Sequence, residues 1–158
     1  MSHLGDRRVL LARMAQASLT MGIFAAKMTT AGTGSLPGPG ATPREVCESY
    51  WRAESSRNLD MTLQHFLPEA IYVAAGKRYI GLEEIRGFYT ENFRSFPHLD
   101  VALTHAISEA DEAALEWRAV LGDSSGNSRS VIGINVVHVQ HGKFKELRAY
   151  FDPAVLSR

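Results

Sequence analysis

Cysteine is almost missing from this chain. The single Cys47 rules out an intrachain disulfide, so any fold must stand on its apolar core alone. An excess of either charge sign is also missing. Lys+Arg and Asp+Glu both number 17, for a formal net charge of zero. No electrostatic footprint for nucleic acid or for an anionic membrane surface follows from that balance. A near-neutral surface also lacks the charge repulsion that keeps copies apart. Long uninterrupted apolar runs are absent as well. The most apolar stretch, Val9 to Met28, is broken by Arg13, Gln16 and Lys27, which argues against a spanning helix. Nor is there a His/Cys/Asp/Glu cluster at metal-ligand spacing, since a metal site needs three or four convergent donors. No metal and no cofactor are expected.

What is present suffices for one ordinary domain. The chain has 158 residues, 45% of them hydrophobic. Residues 1–42 stand apart. Gly32 to Pro43 reads GTGSLPGPGATP, a flexible linker by composition. Upstream, Arg7, Arg8 and Arg13 precede an apolar run, a weak signal-peptide pattern with poor cleavage residues near Thr30 and Ala31. The expectation is a floppy extension on a cytoplasmic protein, with export as the alternative. The domain is placed at 43–153, followed by a short tail at 154–158.

Thr42-Pro43-Arg44-Glu45 has the form of a capping box with proline in the first turn, so a helix is predicted from Pro43 to about Arg57. A second short helix is expected over about Asp60 to Leu67, ended by Pro68. A strand, AIYVAA (70–75), a turn at Gly76-Lys77 and a return over 78–80 come next. A third helix over 82–96 carries Ile85, Phe88, Tyr89, Phe93 and Phe96 at helical spacing. From Asp100 the period changes to two, with strands predicted at about 100–109, 113–122, 130–140 and 143–151. Helices first and antiparallel strands after is an α+β arrangement. Strand 130–140 is apolar on both faces: Val131, Val137 and Val139 on one, Ile132, Ile134 and Val136 on the other. A sheet solvated on one side should alternate, so a homodimer packed through the outer sheet face is expected.

Several polar residues fall on inward faces. At roughly 100° per residue, the apolar arc of the first helix runs from Val46 to Trp51 over about 140°, and it includes Tyr50 and Glu54. A carboxylate there needs a partner or a wet cavity, and desolvation would raise its pKa toward the range of a general base or acid. The competing reading tilts Glu54 outward to pair with Arg57. Asn135 shares a strand face with Val131, Gly133 and Val137, so its amide must find partners, either backbone or ligand. Ala119, Gly133 and Ala149 are small residues on probable inner faces, where they would leave room for a ligand. Trp117, Leu147 and Phe151 line the same faces. Tyr72 is either a core ring or a ligand contact. His65, His98 and His105 are alternative bases.

The order and spacing of Tyr50, R-N-L-D (57–60), H-F-L-P-E-A (65–70), G-L-E-E-I-R-G-F-Y (81–89), D-E-A-A-L-E-W (111–117) and L-R-A-Y-F-D (147–152) resemble the nuclear-transport-factor-2-like superfamily of SnoaL-like and ketosteroid-isomerase-like domains. The resemblance spans nearly all of residues 44–152. It implies a cone: a strongly curved, mostly antiparallel sheet wrapped around three N-terminal helices, with a mostly apolar pocket. It also implies site positions. The oxyanion tyrosine of ketosteroid isomerase falls on Tyr50, its supporting tyrosine on Tyr89, and its protonated aspartate on Asn135. Its general base falls on Ala74, which takes no proton, so isomerisation by that aspartate is excluded. The Asp-Arg-Asp set of limonene epoxide hydrolase falls on Trp117, Ala119 and Ala149, excluding that chemistry, although its pocket tyrosine matches Tyr72. The resulting expectation is a cofactor-independent lyase, isomerase or cyclase. Its catalytic set would be Tyr50, Glu54, Asn135 and Tyr89. Tyr72, Ala74, Trp117, Ala119, Gly133, Leu147, Ala149 and Phe151 would line the pocket for a small apolar or aromatic ligand. A non-catalytic ligand-binding or dimerisation module is the alternative.

Overall fold

The computed structural model describes residues 35–157. The expected linker N-terminal to Ser35, and the apolar run before it, lie outside the described residues. The capping box forms as its sequence requires. Thr42 Oγ accepts from the Glu45 amide at 3.3 Å, and Glu45 returns a carboxylate oxygen to the Thr42 amide at 2.8 Å. Helix α1 runs Pro43–Ser55 and buries Val46, Cys47, Tyr50, Trp51 and Ala53. Arg57, at φ 55°, turns the chain out of the helix.

Helix α2 is shorter than its sequence suggests. It spans Leu59–Leu63, capped by the Asn58 side chain, and strand β1 already starts at Phe66 (Phe66–Ala74). Proline ends helices, but it is also tolerated where a strand's ladder is interrupted. Pro68 lies in such an interruption: β1 pairs with β6 at Phe66↔Phe144, loses register, and resumes at Ile71↔Glu146. Strand β2 (Lys77–Ile80) returns after a turn at Ala75-Gly76, both at positive φ, one residue earlier than expected. Helix α3 is Gly81–Ser95, followed by β3 (His98–Glu109), β4 (Glu112–Gly122), β5 (Ser128–Gln140), β6 (Lys143–Phe151) and a 3₁₀ turn, Pro153–Ser157.

The strands form one sheet in the order β2-β1-β6-β5-β4-β3. Every pairing is antiparallel except β1 with β6. Register shifts at Leu103/His105 in β3 and at Phe144/Glu146 in β6, opposite His138 and Val139, mark bulges, which bend and twist a sheet. The curved sheet closes over α1 and α3, giving the α+β cone. Burial alternates along β4 and β5, so one face is core and the other is open to solvent. The outer face carries Ile107, Val120, Ile132, Ile134 and Tyr150, all exposed.

The described part of the glycine-proline segment packs on the domain. At Gly142, the turn between β5 and β6, an added Cβ would stand 2.2 Å from the Gly38 carbonyl oxygen, so only glycine admits that approach. Among the described residues, no helix is long and apolar enough to cross a membrane.

Candidate active site

A cavity of about 80 Å³ lies between α1, α3 and the inner sheet face. Tyr50 and Glu54, one turn apart on α1, line it together with Asn135 of β5. The geometry thus brings together the three polar side chains singled out from the sequence. Tyr72, Trp117, Ala119, Ala149 and Phe151 also line it. Tyr89 stands behind: its hydroxyl is 2.5 Å from that of Tyr50.

The strand register explains the layout. Across the inner face, Val101, Ala119 and Val131 stand side by side; the next row is Leu103, Trp117, Gly133 and Phe151; the next is Leu115, Asn135, Ala149 and Ala74. Ala119 and Ala149 line the cavity in their rows. Gly133 does not. A Cβ there would fall 2.3 Å from Trp117 Cζ2, so the space its missing side chain vacates is filled by the indole, not by ligand. Ala74 and Leu147 are buried but do not line the cavity. Both are held in the packed core by the neighbouring rows of β1 and β6.

Half of the sixteen lining residues were not singled out for the site from sequence, and two of these are informative. Asn92 sits seven residues after Ile85 and four after Phe88, hence on the same stripe of α3, and its amide in that apolar stripe was a legible signal. Leu156, in the 3₁₀ turn, also walls the cavity. It belongs to a stretch whose composition gives no hint of docking.

The electrostatics follow from burial. Desolvation raises the Glu54 carboxyl to about 7, and the nearby Tyr50 hydroxyl and Arg57 guanidinium offset it only in part. The outward Glu54–Arg57 pairing is not formed. Arg57 instead reaches the Glu54 main-chain carbonyl at 3.4 Å and stands 4.8 Å over the Phe93 ring. Burial pushes the phenols of Tyr50, Tyr72 and Tyr89 up, so all three are protonated at neutral pH and available as donors. The Cys47 thiol is likewise raised by burial and stays neutral.

Asn135 is 3% exposed and held on both sides. Trp117 Nε1–H donates to its Oδ1 at 2.9 Å, and its Nδ2 lies 3.9 Å from Cys47 Sγ. Histidine contributes nothing to the cavity. His65 Nδ1–H meets the Met61 carbonyl at 2.8 Å, and its Nε2 meets Ser49 Oγ at 2.9 Å, tying α2 to α1. His98 and His105 are exposed on β3. Among the described residues, no group of three or more His, Cys, Asp or Glu side chains could hold a metal ion.

A sheet of this order and curvature, wrapped on helices with an internal cavity, defines the nuclear-transport-factor-2-like class of α+β cones. Within it, the chain belongs to the SnoaL-like domain family, whose match covers residues 47–147. Solved structures agree on the fold. A putative SnoaL-like polyketide cyclase from Shewanella denitrificans OS-217 superposes with a TM-score of 0.65 at 12% identity, covering 72% of this chain and 93% of that one. A hypothetical protein with a ketosteroid-isomerase-like fold from Catenulispora acidiphila DSM 44928, solved with trimethylamine, gives 0.65 at 18% identity, with coverage of 73% and 91%. TerC, co-crystallised with polyporic acid, gives 0.63 at 13% identity, with coverage of 73% and 98%. No curated protein matches the sequence.

Proposed function

We propose that this chain is a cofactor-independent lyase, isomerase or cyclase for a small apolar or aromatic compound bearing a carbonyl or phenol oxygen. The observation that carries the reading is the convergence of Tyr50, Glu54 and Asn135 on one mostly apolar cavity. Tyr50, backed by Tyr89, and the Asn135 amide donate to an oxygen on which negative charge develops. Glu54, titrating at about 7, takes a proton from an adjacent carbon and returns it elsewhere. Donors fixed before the reaction begins cost no reorganisation, so they stabilise the charged state more than the neutral one. The cavity limits the ligand. An apolar cavity of about 150 Å³ takes benzene. This one, at about 80 Å³, takes a smaller fragment unless Leu156 moves.

The test is turnover of a panel of such ketones and phenols by Tyr50→Phe, Asn135→Leu and Glu54→Gln. Each donor variant is expected to lose about 10²–10³ in rate. In the wild type, activity should rise with pH through about 7 as Glu54 ionises, and Glu54→Gln should abolish that limb. Full turnover by all three variants sinks the assignment. A ligand held for hours without conversion would favour the non-catalytic binding reading.

We also infer that the outer sheet face packs against a second copy of the chain. Ile107 is 66% exposed, Ile132 58% and Tyr150 54%, an apolar surface that water does not favour. Light scattering should find a dimer in the wild type and a monomer in Ile132→Glu, with the cavity still able to bind. A wild type that stays monomeric at high concentration overturns the inference.

A further inference from the structure

Trp117 and Gly133 form an arrangement that the oxyanion reading does not use. They face each other across β4 and β5, and Asn135 follows in the next row. Because Gly133 has no side chain, the indole lies across β5 and reaches diagonally to Asn135. An indole N–H can only donate. The Asn135 atom 2.9 Å from it must therefore be the carbonyl oxygen, which fixes the orientation of the whole amide. The Nδ2 side is left, and its only hydrogen bond among the described residues is the long, weak one to Cys47 Sγ.

We infer that Trp117, seated in the space Gly133 leaves, is a positioning residue that makes Asn135 present only N–H to the cavity and so selects ligands that offer a hydrogen-bond acceptor there. This rests on the oxyanion reading and sharpens it. Tyr50 can both donate and accept, and an unconstrained asparagine could turn either end to a ligand. With Oδ1 engaged by the indole, an accepting orientation would break that bond and leave a buried indole N–H unsatisfied. A carbonyl or phenolate oxygen fits, whereas an ammonium or an amide N–H at the same point does not. The indole N–H itself is not offered to the ligand, although Trp117 lines the cavity.

The probes are acetone and 2-methylpropene, which share a shape, differ in the acceptor and are smaller than benzene. In the wild-type protein, NMR titration with acetone should shift an Asn135 Nδ2 proton downfield and leave the Trp117 Nε1–H signal in place. Trp117→Phe keeps a ring but removes the donor. It should lower the ketone-to-alkene affinity ratio by up to about tenfold, the worth of one hydrogen bond, while alkene binding stays nearly unchanged. Gly133→Ala would set a Cβ 2.3 Å from the indole and 2.6 Å from the Tyr150 carbonyl oxygen, so it displaces the ring together with the β6 backbone and is the harsher variant, with the same loss expected. A wild-type titration in which the ketone moves Trp117 Nε1–H overturns the inference, even if neither variant folds. So does an unchanged ratio in Trp117→Phe. If Tyr50→Phe still lowers the ratio in that case, the oxyanion reading survives alone. If the wild type binds no acetone, or if neither Tyr50→Phe nor Asn135→Leu alters the ratio, the oxyanion reading falls and takes this inference with it.

Discussion

The two ends of the cone's interior are built differently. At one end, Tyr50, Phe66, Tyr72, Tyr89 and Phe144 interlock with ring centroids 5.3 to 6.3 Å apart. At the other, Ala119, Val131 and Ala149 are too short to fill the space beneath the sheet, and a cavity remains. The polar groups lie on the boundary. Tyr50 belongs to both ends, with its ring among aromatics and its surface on the cavity. The difference teaches how a small domain without disulfides can keep a hollow. Rigid rings at one end supply the packing that the open end forgoes, and they hold the site's donors in place.

If that division is right, damage to the closed end should cost mainly stability. Phe66→Ala should lose about 3–5 kcal/mol, read by urea unfolding. A loss below about 1 kcal/mol would mean the interior relaxes as one body.

Glu54 sharpens the contrast through pH. In the folded protein its carboxyl titrates at about 7 against an ordinary value of 4.5. Between those values the folded state binds a proton that the unfolded chain has released, so Glu54 makes stability fall as pH rises across that window. Glu54→Gln should therefore be more stable than the wild type above pH 7, and the gap should close below pH 4.5. Equal unfolding curves for the two proteins at pH 8 would place the carboxylate in bulk-like water.

The smallest effect is expected at Leu156. It is half-buried at the C-terminal turn, so Leu156→Ala should change stability little. It should instead admit larger ligands, read as tighter binding of cyclohexanone relative to acetone. An unchanged size preference would show that Leu156 does not bound the cavity.

Much of the fold was legible because it follows from local chemistry. Thr42 and Glu45 can close a capping box wherever they occur before a helix, and the period-two alternation of β4 and β5 assigns faces without knowledge of neighbours. Glu54 and Asn135 were legible for the same reason, as polar groups on apolar faces. Pro68 misled because its meaning depends on whether a ladder is interrupted at that point, which β6 decides.

The sequence by itself determined the order of elements, which side chains turn inward, and the absence of disulfide support. Only the tertiary structure decided that Gly133 makes room for an indole, that Leu156 walls the cavity, and which end of the Asn135 amide the indole holds. Facing direction is a property of one strand or helix and repeats with its period. Which group fills a given space depends on residues far apart in the chain meeting at van der Waals distance, and no period within one segment encodes that.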